Sequence, residues 1–517
     1  MRTIARNWKR MLLASVVLAL GAWLVVPQAR AEETEKPKAE KPKAEEDKDA
    51  VRKKLEEKRA KARKAQEEAQ RKVMDDYQAQ MKKEDEARKS DPAWKPSHEQ
   101  TAVIKVGEVG KRLALNNFCL NTDGNILAVC GGERIEYVQD GSGEYEPKTV
   151  GEPAEIRVFS PDGKLLKTWP VEFKPEAICV GDDGTIFVAG GGQMAKLDQD
   201  GKVLLTAKSP QMADLPPLPP LPEKKKDSKD DKAAKEAQKK KTAALRAKLE
   251  KAQKEFQEAI KDIKQPKDPQ NPTQEEMEAI QKKVKEPQEK LMAVQREFQE
   301  ASMSPEKAAM QKRAEIQRKS AVNGIAVSKD DVFVACSMAK GYGFGVWRVD
   351  RDFANPKQII QGLRGCCGQM DVQAKDGEVW IAHNCEHKVE RYDRDGKKLF
   401  SFGKSDRKAA DGFGGCCEPK NLRFGPKGEL YASESGEPVA IKRFTTEGKF
   451  LGVVGVPKYD SGCVRVTIDI SRDGKQVFIL DPGGNAIHVL TQKAAEPEKK
   501  ADTEKKAESD KDAPTDK

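Results

Sequence analysis

Cysteine and histidine are the residues of this chain whose types and spacing could support chemistry. The pairs Cys366-Cys367 and Cys416-Cys417 lie 50 residues apart, and Cys463 follows Cys416 by 47 residues. Between the pairs stands the segment His383-Asn384-Cys385-Glu386-His387. Thiolates and imidazoles bind zinc, copper and iron, and cysteines form disulfides in oxidising compartments. The spacing therefore predicts metal binding or disulfide formation, provided that the fold brings these residues together.

These cysteines mark the starts of an internal repeat. After each pair comes a strand-like segment, Glu378–Ala382 in one copy and Glu429–Ser433 in the next. Each copy then ends in an apolar segment closed by glycine, Lys398–Gly403 and Lys449–Gly455. A period of this length indicates a repeat array.

Each copy has the pattern of a four-stranded antiparallel meander, in which Asp-Gly or similar turns separate short apolar strands. Six copies occupy residues 100–209 and 321–492, and the last lacks its fourth strand. The isolated strand Thr101–Val106 fits that vacancy. We therefore predict an all-β fold, a six-bladed β-propeller closed by an N-terminal strand, since ring closure removes the sheet edges.

One repeat resembles a known family. Asn421–Ser433, followed by Ile441–Phe444 and Glu447–Leu451, is similar to a unit of the NHL-repeat six-bladed β-propellers, of the secreted bacterial type. The resemblance covers roughly residues 101–209 and 321–492. It implies a fold rather than an activity, so function must be sought in the residues themselves.

The meander topology predicts where the cysteines lie. An innermost strand starts on the face where the second strand of its blade ends, so His383, His387 and eight cysteines should gather around one mouth of the central channel. The eight are Cys130, Cys336, Cys366, Cys367, Cys385, Cys416, Cys417 and Cys463.

Three interpretations of this cluster stay open. Disulfides could join adjacent blades, for example one cysteine of 366/367 to one of 416/417, with Cys463 as a further partner. A bridge within a Cys-Cys pair would be strained and easily reduced, because neighbouring Cα atoms lie about 3.8 Å apart and disulfides usually span about 4.4–6.8 Å. The third is a zinc, copper or iron site, with ligands drawn from His383, Cys385, His387, Cys366, Cys367, Cys416 and Cys417.

The rest of the chain surrounds the propeller. Residues 1–31 have the basic start, apolar run and Ala-Arg-Ala end of a signal peptide, and 32–49 form a disordered linker. Residues 50–92 form a charged helix, 210–320 a proline-rich exit followed by an inserted α-helical hairpin, and 493–517 a disordered charged tail. We expect a periplasmic or secreted protein with no membrane span after cleavage; an uncleaved N-terminal anchor is the alternative.

Charge excludes one class of partner. The formal net charge is +10, but five of the basic residues lie in the first 31, and the others alternate with acidic residues. Such a mixed surface is not a nucleic-acid interface. We identify no catalytic residue. The leading hypothesis is a non-enzymatic scaffold that binds a protein or peptide on a propeller face, with association through its helices; the alternative is a metal or redox protein.

Overall fold

A computed structural model describes residues 64, 67–68, 70–107, 114–139, 145–219, 229–261, 274–303, 305–365, 369–415, 417–436, 438–459 and 464–494. The predicted signal peptide, the linker, the N-terminal part of the charged helix and nearly all of the C-terminal tail lie outside these residues. Cys366, Cys367, Cys416 and Cys463 also lie outside them.

The described chain forms six four-stranded antiparallel sheets, which confirms the all-β, six-bladed propeller. Strand β1 (His98–Lys105) belongs to the last blade, and the loop 131–153 of blade 1 carries an extra hairpin. Blades 1 to 3, with that hairpin as β4 and β5, contain β2 (Leu115–Leu120), β3 (Ile126–Cys130), β4 (Arg134–Gln139), β5 (Tyr145–Val150), β6 (Glu155–Phe159), β7 (Leu165–Pro170), β8 (Ala177–Val180), β9 (Ile186–Gly190), β10 (Gln193–Leu197), β11 (Val203–Lys208), β12 (Val322–Val327), β13 (Asp331–Ser337), β14 (Phe344–Asp350) and β15 (Lys357–Leu363).

Blades 4 to 6 follow without interruption. They contain β16 (Asp371–Lys375), β17 (Glu378–His383), β18 (Lys388–Tyr392), β19 (Lys398–Phe402), β20 (Asn421–Phe424), β21 (Leu430–Glu434), β22 (Ala440–Phe444), β23 (Phe450–Gly455), β24 (Ile468–Ile470), β25 (Gln476–Asp481) and β26 (Ala486–Gln492).

The first strand is the outermost strand of the last sheet. β1 pairs antiparallel with β26, in a register that runs from His98 opposite Gln492 to Lys105 opposite Ala486. The six innermost strands contact one another in a closed cycle, with β24 next to β2. Every blade therefore has a neighbour on both sides.

One core position recurs in every blade. It lies on the second strand, directly opposite the channel-lining part of the first strand, and its side chain is never more than 1% exposed. Its members are Leu127, Phe187, Phe333, Trp380, Tyr431 and Phe478. Large side chains at this position fill the space between adjacent blades, where most of the apolar surface is buried.

Glycines in the turns between third and fourth strands let one blade cover the next. Gly201 of blade 2, with φ of +83°, lies against the ring of Trp169 on the outermost strand of blade 1. Gly163 of blade 1 lies in the same way against Ile104 of β1. β1 thus occupies the position in blade 6 that β7 occupies in blade 1.

The helices lie outside the ring. Helix α1 covers residues 70–89, and the insertion between blades 2 and 3 contains α2 (Lys229–Lys261), α3 (Gln274–Ser302) and α4 (Pro305–Lys319). The Gln238 side chain donates to the carbonyl of Ala301 at 3.0 Å, and Lys290 pairs with Glu255 at 2.6 Å, so α2 and α3 form an antiparallel hairpin. None of the described helices has the length and apolar character needed to span a membrane.

Gly201→Ala should destabilise the protein more than Gly124→Ala does. Both glycines have φ near +82°, so each alanine meets a similar left-handed strain of about 1 kcal/mol. A Cβ at Gly124 has no atom within 4 Å, whereas one at Gly201 overlaps the Trp169 ring. Overpacking adds about 1–3 kcal/mol at Gly201 alone. Urea unfolding of both variants measures the difference, and equal losses would show that the turn does not pack on the neighbouring blade.

Candidate functional site

The two faces of the propeller differ in what covers them. We call front face the side formed by the segments leading into the innermost strands, residues 171–176, 320–321, 369–370, 417–420 and 464–467. Helix α4 contacts β5 and β13 on this side, and the end of α1 contacts blade 5 there. The opposite side, which we call the back face, is formed by turns. The front face is therefore the candidate functional surface.

A cleft of about 1050 Å³ lies between the front face of blades 1 to 3 and the insertion. Its walls include residues far apart in sequence, among them 132–133, 152–154, 171–176 and 311–321. Phe173, Met212, Leu218 and Ile316 give it apolar patches. Glu133 and Arg313 pair across its rim at 3.6 Å. This size and mixed lining are typical of ligand-binding clefts.

A fixed polar group closes the inner end of the cleft. Glu176 Oε2 accepts the backbone N–H groups of Gly191 at 3.1 Å and Val322 at 3.0 Å, and Glu176 Oε1 lies 3.0 Å from Lys174 Nζ. The guanidinium of Arg465 reaches across from blade 6 and donates to the carbonyl oxygens of Glu176 at 2.7 Å and Asn323 at 3.1 Å. Burial lowers the pKa of Arg465. Arg465 thus seals the channel beneath the cleft.

Beyond Arg465 the channel is packed with polar side chains. Arg423 donates to Gln373 Oε1 at 2.8 Å, and its Nε lies 3.5 Å from Asp469 Oδ1. Asp371 Oδ2 accepts the backbone N–H of Leu422 at 2.8 Å, and burial raises the pKa of this carboxyl to about 6. The void here measures only about 10 Å³. It therefore has room for about one water-sized molecule.

A buried contact between two polar side chains recurs in blades 4, 5 and 6. In each, the last residue of the second strand meets a residue two positions into the third strand. The pairs are His383 Nδ1 to Glu390 Oε2 at 3.0 Å, Glu434 Oε1 to Lys442 Nζ at 3.0 Å, and Asp481 Oδ2 to His488 Nε2 at 3.3 Å. The equivalent second-strand residues of blades 1 to 3 are Cys130, Gly190 and Cys336.

His383 is engaged at both ring nitrogens. Its Nε2 accepts the backbone N–H of Arg364 at 3.1 Å, which fixes the proton on Nδ1, facing Glu390. Burial would raise the pKa of Glu390, but hydrogen bonds from His383, Lys398 and Tyr392 outweigh it and lower the pKa to about 2. The imidazole is thus held in one orientation.

Other predicted ligands lie near this histidine. Cys385 is half-buried in the turn Asn384–Glu386, and His387 ends that turn in a left-handed conformation with φ of 54°; burial lowers the pKa of His387. Arg364 and Gln369 lie on either side of the 366–368 gap, and both contact the turn. Arg364 Nη1 lies 3.4 Å from Glu386 Oε1, and the backbone carbonyl of Gln369 accepts a hydrogen bond from Asn384 Nδ2 at 3.1 Å. Among the described residues, no three His, Cys, Asp or Glu side chains form a metal-binding group.

Two predicted members of the cluster are elsewhere. Cys130 and Cys336 end second strands, as predicted, but their side chains are buried in separate cores, one between blades 6 and 1 and the other between blades 2 and 3. Burial raises the pKa of the Cys130 thiol to about 12. The prediction that these two line the channel mouth was wrong. Both are free thiols, as are the core residues Cys119 and Cys179.

No local pattern in the sequence predicts the docking of the N-terminal segment. Arg88, at the end of α1, lies 2.7 Å from Glu434 Oε2, so Glu434 holds both Arg88 and Lys442. All three side chains are 1% exposed or less. Nearby, Arg407 binds Asp85 through two contacts of 2.9 Å. These pairs fix α1 to blade 5 on the front face.

Comparisons with known proteins yield only distant structural likenesses. No family model and no curated protein matches the chain. Solved structures that it resembles include the WD40 domain of Pan2 from Neurospora crassa, at 10% identity and a TM-score of 0.35, covering 78% of this chain and 98% of that one. A gluconolactonase from Xanthomonas campestris matches at 9% identity and 0.35, covering 77% and 97%. Regucalcin, a calcium-binding protein from Agrobacterium tumefaciens, matches at 8% and 0.37, covering 77% and 97%. At such low similarity these structures carry no argument about the site.

Glu434→Gln should detach α1 and destabilise blade 5. The substitution leaves the buried cations Arg88 and Lys442 without their common counter-charge, which costs about 3–5 kcal/mol. Glu447→Gln is the control, because Glu447 lies on an exposed turn and should change stability by less than about 0.5 kcal/mol. Chemical unfolding together with hydrogen exchange of residues 80–94 reports both effects. Unchanged exchange in that segment would contradict the proposed attachment.

Asp371→Asn should stabilise the protein more at neutral pH than in mild acid. The pKa of the Asp371 carboxyl is about 6 in the native state instead of the ordinary 3.8, so the native state binds the carboxyl proton more tightly than the unfolded state does. The native state therefore loses stability as the pH rises from about 4 to about 6. Asparagine retains an acceptor for the Leu422 N–H and carries no charge. The stability of the variant relative to the parent should rise by about 2 kcal/mol between about pH 4 and pH 7.5. A difference independent of pH, measured by urea unfolding, would contradict the burial of a charged Asp371.

Proposed function

We propose that this protein is a non-enzymatic, exported scaffold of the cell envelope, related to the NHL-repeat propellers, that binds a protein or peptide on its front face. The observation that carries the proposal is the cleft of about 1050 Å³ between blades 1 to 3 and the inserted helices. A surface built by an insertion into the ring, rather than by the ring alone, is a specific feature of this chain.

The lining of the cleft favours a polypeptide ligand. Apolar side chains such as Phe173 and Ile316 alternate with charged groups that already have partners, as in the Glu133–Arg313 and Lys174–Glu176 pairs. Peptide segments combine apolar side chains with backbone hydrogen-bonding groups, and they suit a cleft with both kinds of surface.

The charged residues of the front face support binding rather than catalysis. Glu434 and Asp481 each hold a buried structural partner, and both nitrogens of His383 are engaged. A general base must be able to reach a substrate proton. These side chains instead stabilise the blade ends against which a ligand or helix can rest.

Export follows from the N-terminal sequence. Basic residues, an apolar run and Ala29-Arg30-Ala31 form a secretory signal. We place the mature protein in the periplasm or outside the cell, where the oxidising environment allows disulfides. In the alternative, an uncleaved segment anchors the protein to the membrane.

The orientation of His383 favours a second function, a metal or redox site. Glu390 faces one nitrogen of His383 as a carboxylate faces the outer nitrogen of a metal-binding histidine, and a metal ion at Nε2 would replace the N–H of Arg364 that this nitrogen now accepts. The site would use His383, Cys385, His387 and Cys417 with Cys366, Cys367 and Cys416, and would take zinc, copper or iron. Metal analysis of the purified full chain tests this alternative.

A photo-cross-linking residue at Leu218 should capture the ligand, and one at Leu204 should not. Leu218 lies in the cleft and is 41% exposed, whereas Leu204 is 52% exposed on the outermost strand of blade 2. Because the two leucines are similarly accessible, random encounters label them equally. Cells that produce the full chain with the photo-cross-linking residue in place of Leu218 should give a discrete polypeptide adduct on irradiation.

The same experiment can contradict the proposal. Adducts of equal pattern at both positions, or none at Leu218, would show that the cleft holds no polypeptide. Mass spectrometry identifies the captured protein, and the N-terminal sequence of the recovered chain shows whether residues 1–31 have been removed.

A further inference from the structure

One buried contact on the front face has no role in the proposed binding function. Lys420 Nζ donates to Cys417 Sγ at 2.9 Å. Cys417 is 0% exposed and Lys420 is 3% exposed. Lysine is almost never fully buried unless it is paired, and here a sulfur atom is a partner of the lysine nitrogen. The contact joins two residues three positions apart in the segment that leads into β20.

The surroundings of this pair are also unusual. Glu418, between the two residues, is 1% exposed, and its Oε1 accepts hydrogen bonds from the N–H and hydroxyl of Ser435 and from the N–H of Gly436. Its Oε2 is buried with no hydrogen-bond partner among the described residues. The pocket thus contains an amine, a thiol and a carboxyl with one unsatisfied oxygen.

The lysine end of the pair borders a small void in the channel. Lys420 borders the channel void of about 10 Å³, together with Gln369 and Asn421. That void has room for about one water-sized molecule, and hydrogen peroxide is little larger than water.

We propose that Cys417 and Lys420 form an oxidative modification site, at which a peroxide converts the contact into a covalent sulfur–nitrogen bond. In the first step the thiol of Cys417 reduces one peroxide, giving a sulfenic acid and one water. In the second, the neutral amine of Lys420 attacks that sulfur, the S–O bond breaks, and hydroxide leaves with a proton of the amine as a second water. Sulfenic acids condense with nitrogen in this way to give sulfenamides, which thiols reduce.

The distance explains why this pair should react together. An amine 2.9 Å from the sulfur is already placed for attack, and such proximity replaces a bimolecular step by an intramolecular one. The thiol of Cys336 is a natural control, because its Sγ contacts only a backbone carbonyl, that of Val334 at 3.9 Å, among the contacts described for it. This inference is independent of any ligand in the cleft.

Trypsin provides a sharp test on the full-length protein. The chain treated with hydrogen peroxide should lose two hydrogens in the segment that contains Cys417, and trypsin should no longer cut after Lys420, because its amine is consumed. Dithiothreitol should restore both the mass and the cleavage. Cys336 should remain unmodified in the same digest.

A disulfide within the Cys416-Cys417 pair would also remove two hydrogens, but it leaves Lys420 cleavable. Loss of mass with normal cleavage after Lys420 would therefore overturn the proposal, as would oxidation of Cys417 to a sulfinic acid or no reaction at all. Cys416→Ser should retain the missed cleavage, whereas Cys417→Ser and Lys420→Arg should abolish the cross-link. Because the unsubstituted protein gives the decisive readout, the test does not depend on these variants folding.

Discussion

Closure of the ring is the constraint on which the rest of this structure depends. Each sheet has two apolar faces, and a blade is stable only when both are covered by neighbours. The contact between β24 and β2 completes the cycle of innermost strands, and β1 completes the last sheet by pairing with β26. At this junction Gly163 packs on Ile104, in the same way as Gly201 packs on Trp169. The first and last parts of the chain are therefore held in one blade.

The topology of the ring also determines where insertions can emerge. An outermost strand ends on the side where the next innermost strand begins, so every connection between blades crosses the front face. The insertion follows β11 and precedes β12, and it must leave and return on that side. Helix α4 then covers blades 1 to 3 because Gln211 and Arg313 fasten the two ends of the insertion, Gln211 to the carbonyl of Ser320 at 3.2 Å and Arg313 to that of Pro219 at 2.7 Å.

The sequence contained the fold because the fold is made of local repeats. The aromatic position of the second strand, seen in Phe187 and Trp380, and the turn glycines recur at a fixed offset, so six sheets and their order could be predicted. The contact between Arg88 and Glu434 joins residues 346 positions apart and has no periodic signature. No local pattern could have revealed it.

The site was predicted only in part, for a different reason. Strand topology predicts at which end of a blade a residue lies, but not towards which neighbour its side chain points. Cys130 and Cys336 were placed at the correct ends, yet alternation along the strand turns them into the cores between blades. The buried polar pairs had a signal that was missed: His383 and Glu390, Glu434 and Lys442, and Asp481 and His488 are separated by seven or eight residues in three consecutive repeats.

The same structural position therefore has two uses on the front face. In blades 4 to 6 it holds the polar residues His383, Glu434 and Asp481, and each has a buried partner, since an unpaired polar group there is costly. Those pairs fill the blade ends and provide the anchor for Arg88. In blades 1 to 3 it holds Cys130, Gly190 and Cys336, which need no partner and leave room above the blades. The cleft lies over the half of the ring with the small residues, and the N-terminal helix is fixed to the half with the charges. A difference between small and polar side chains at one repeated position thus coincides with the asymmetry of the face.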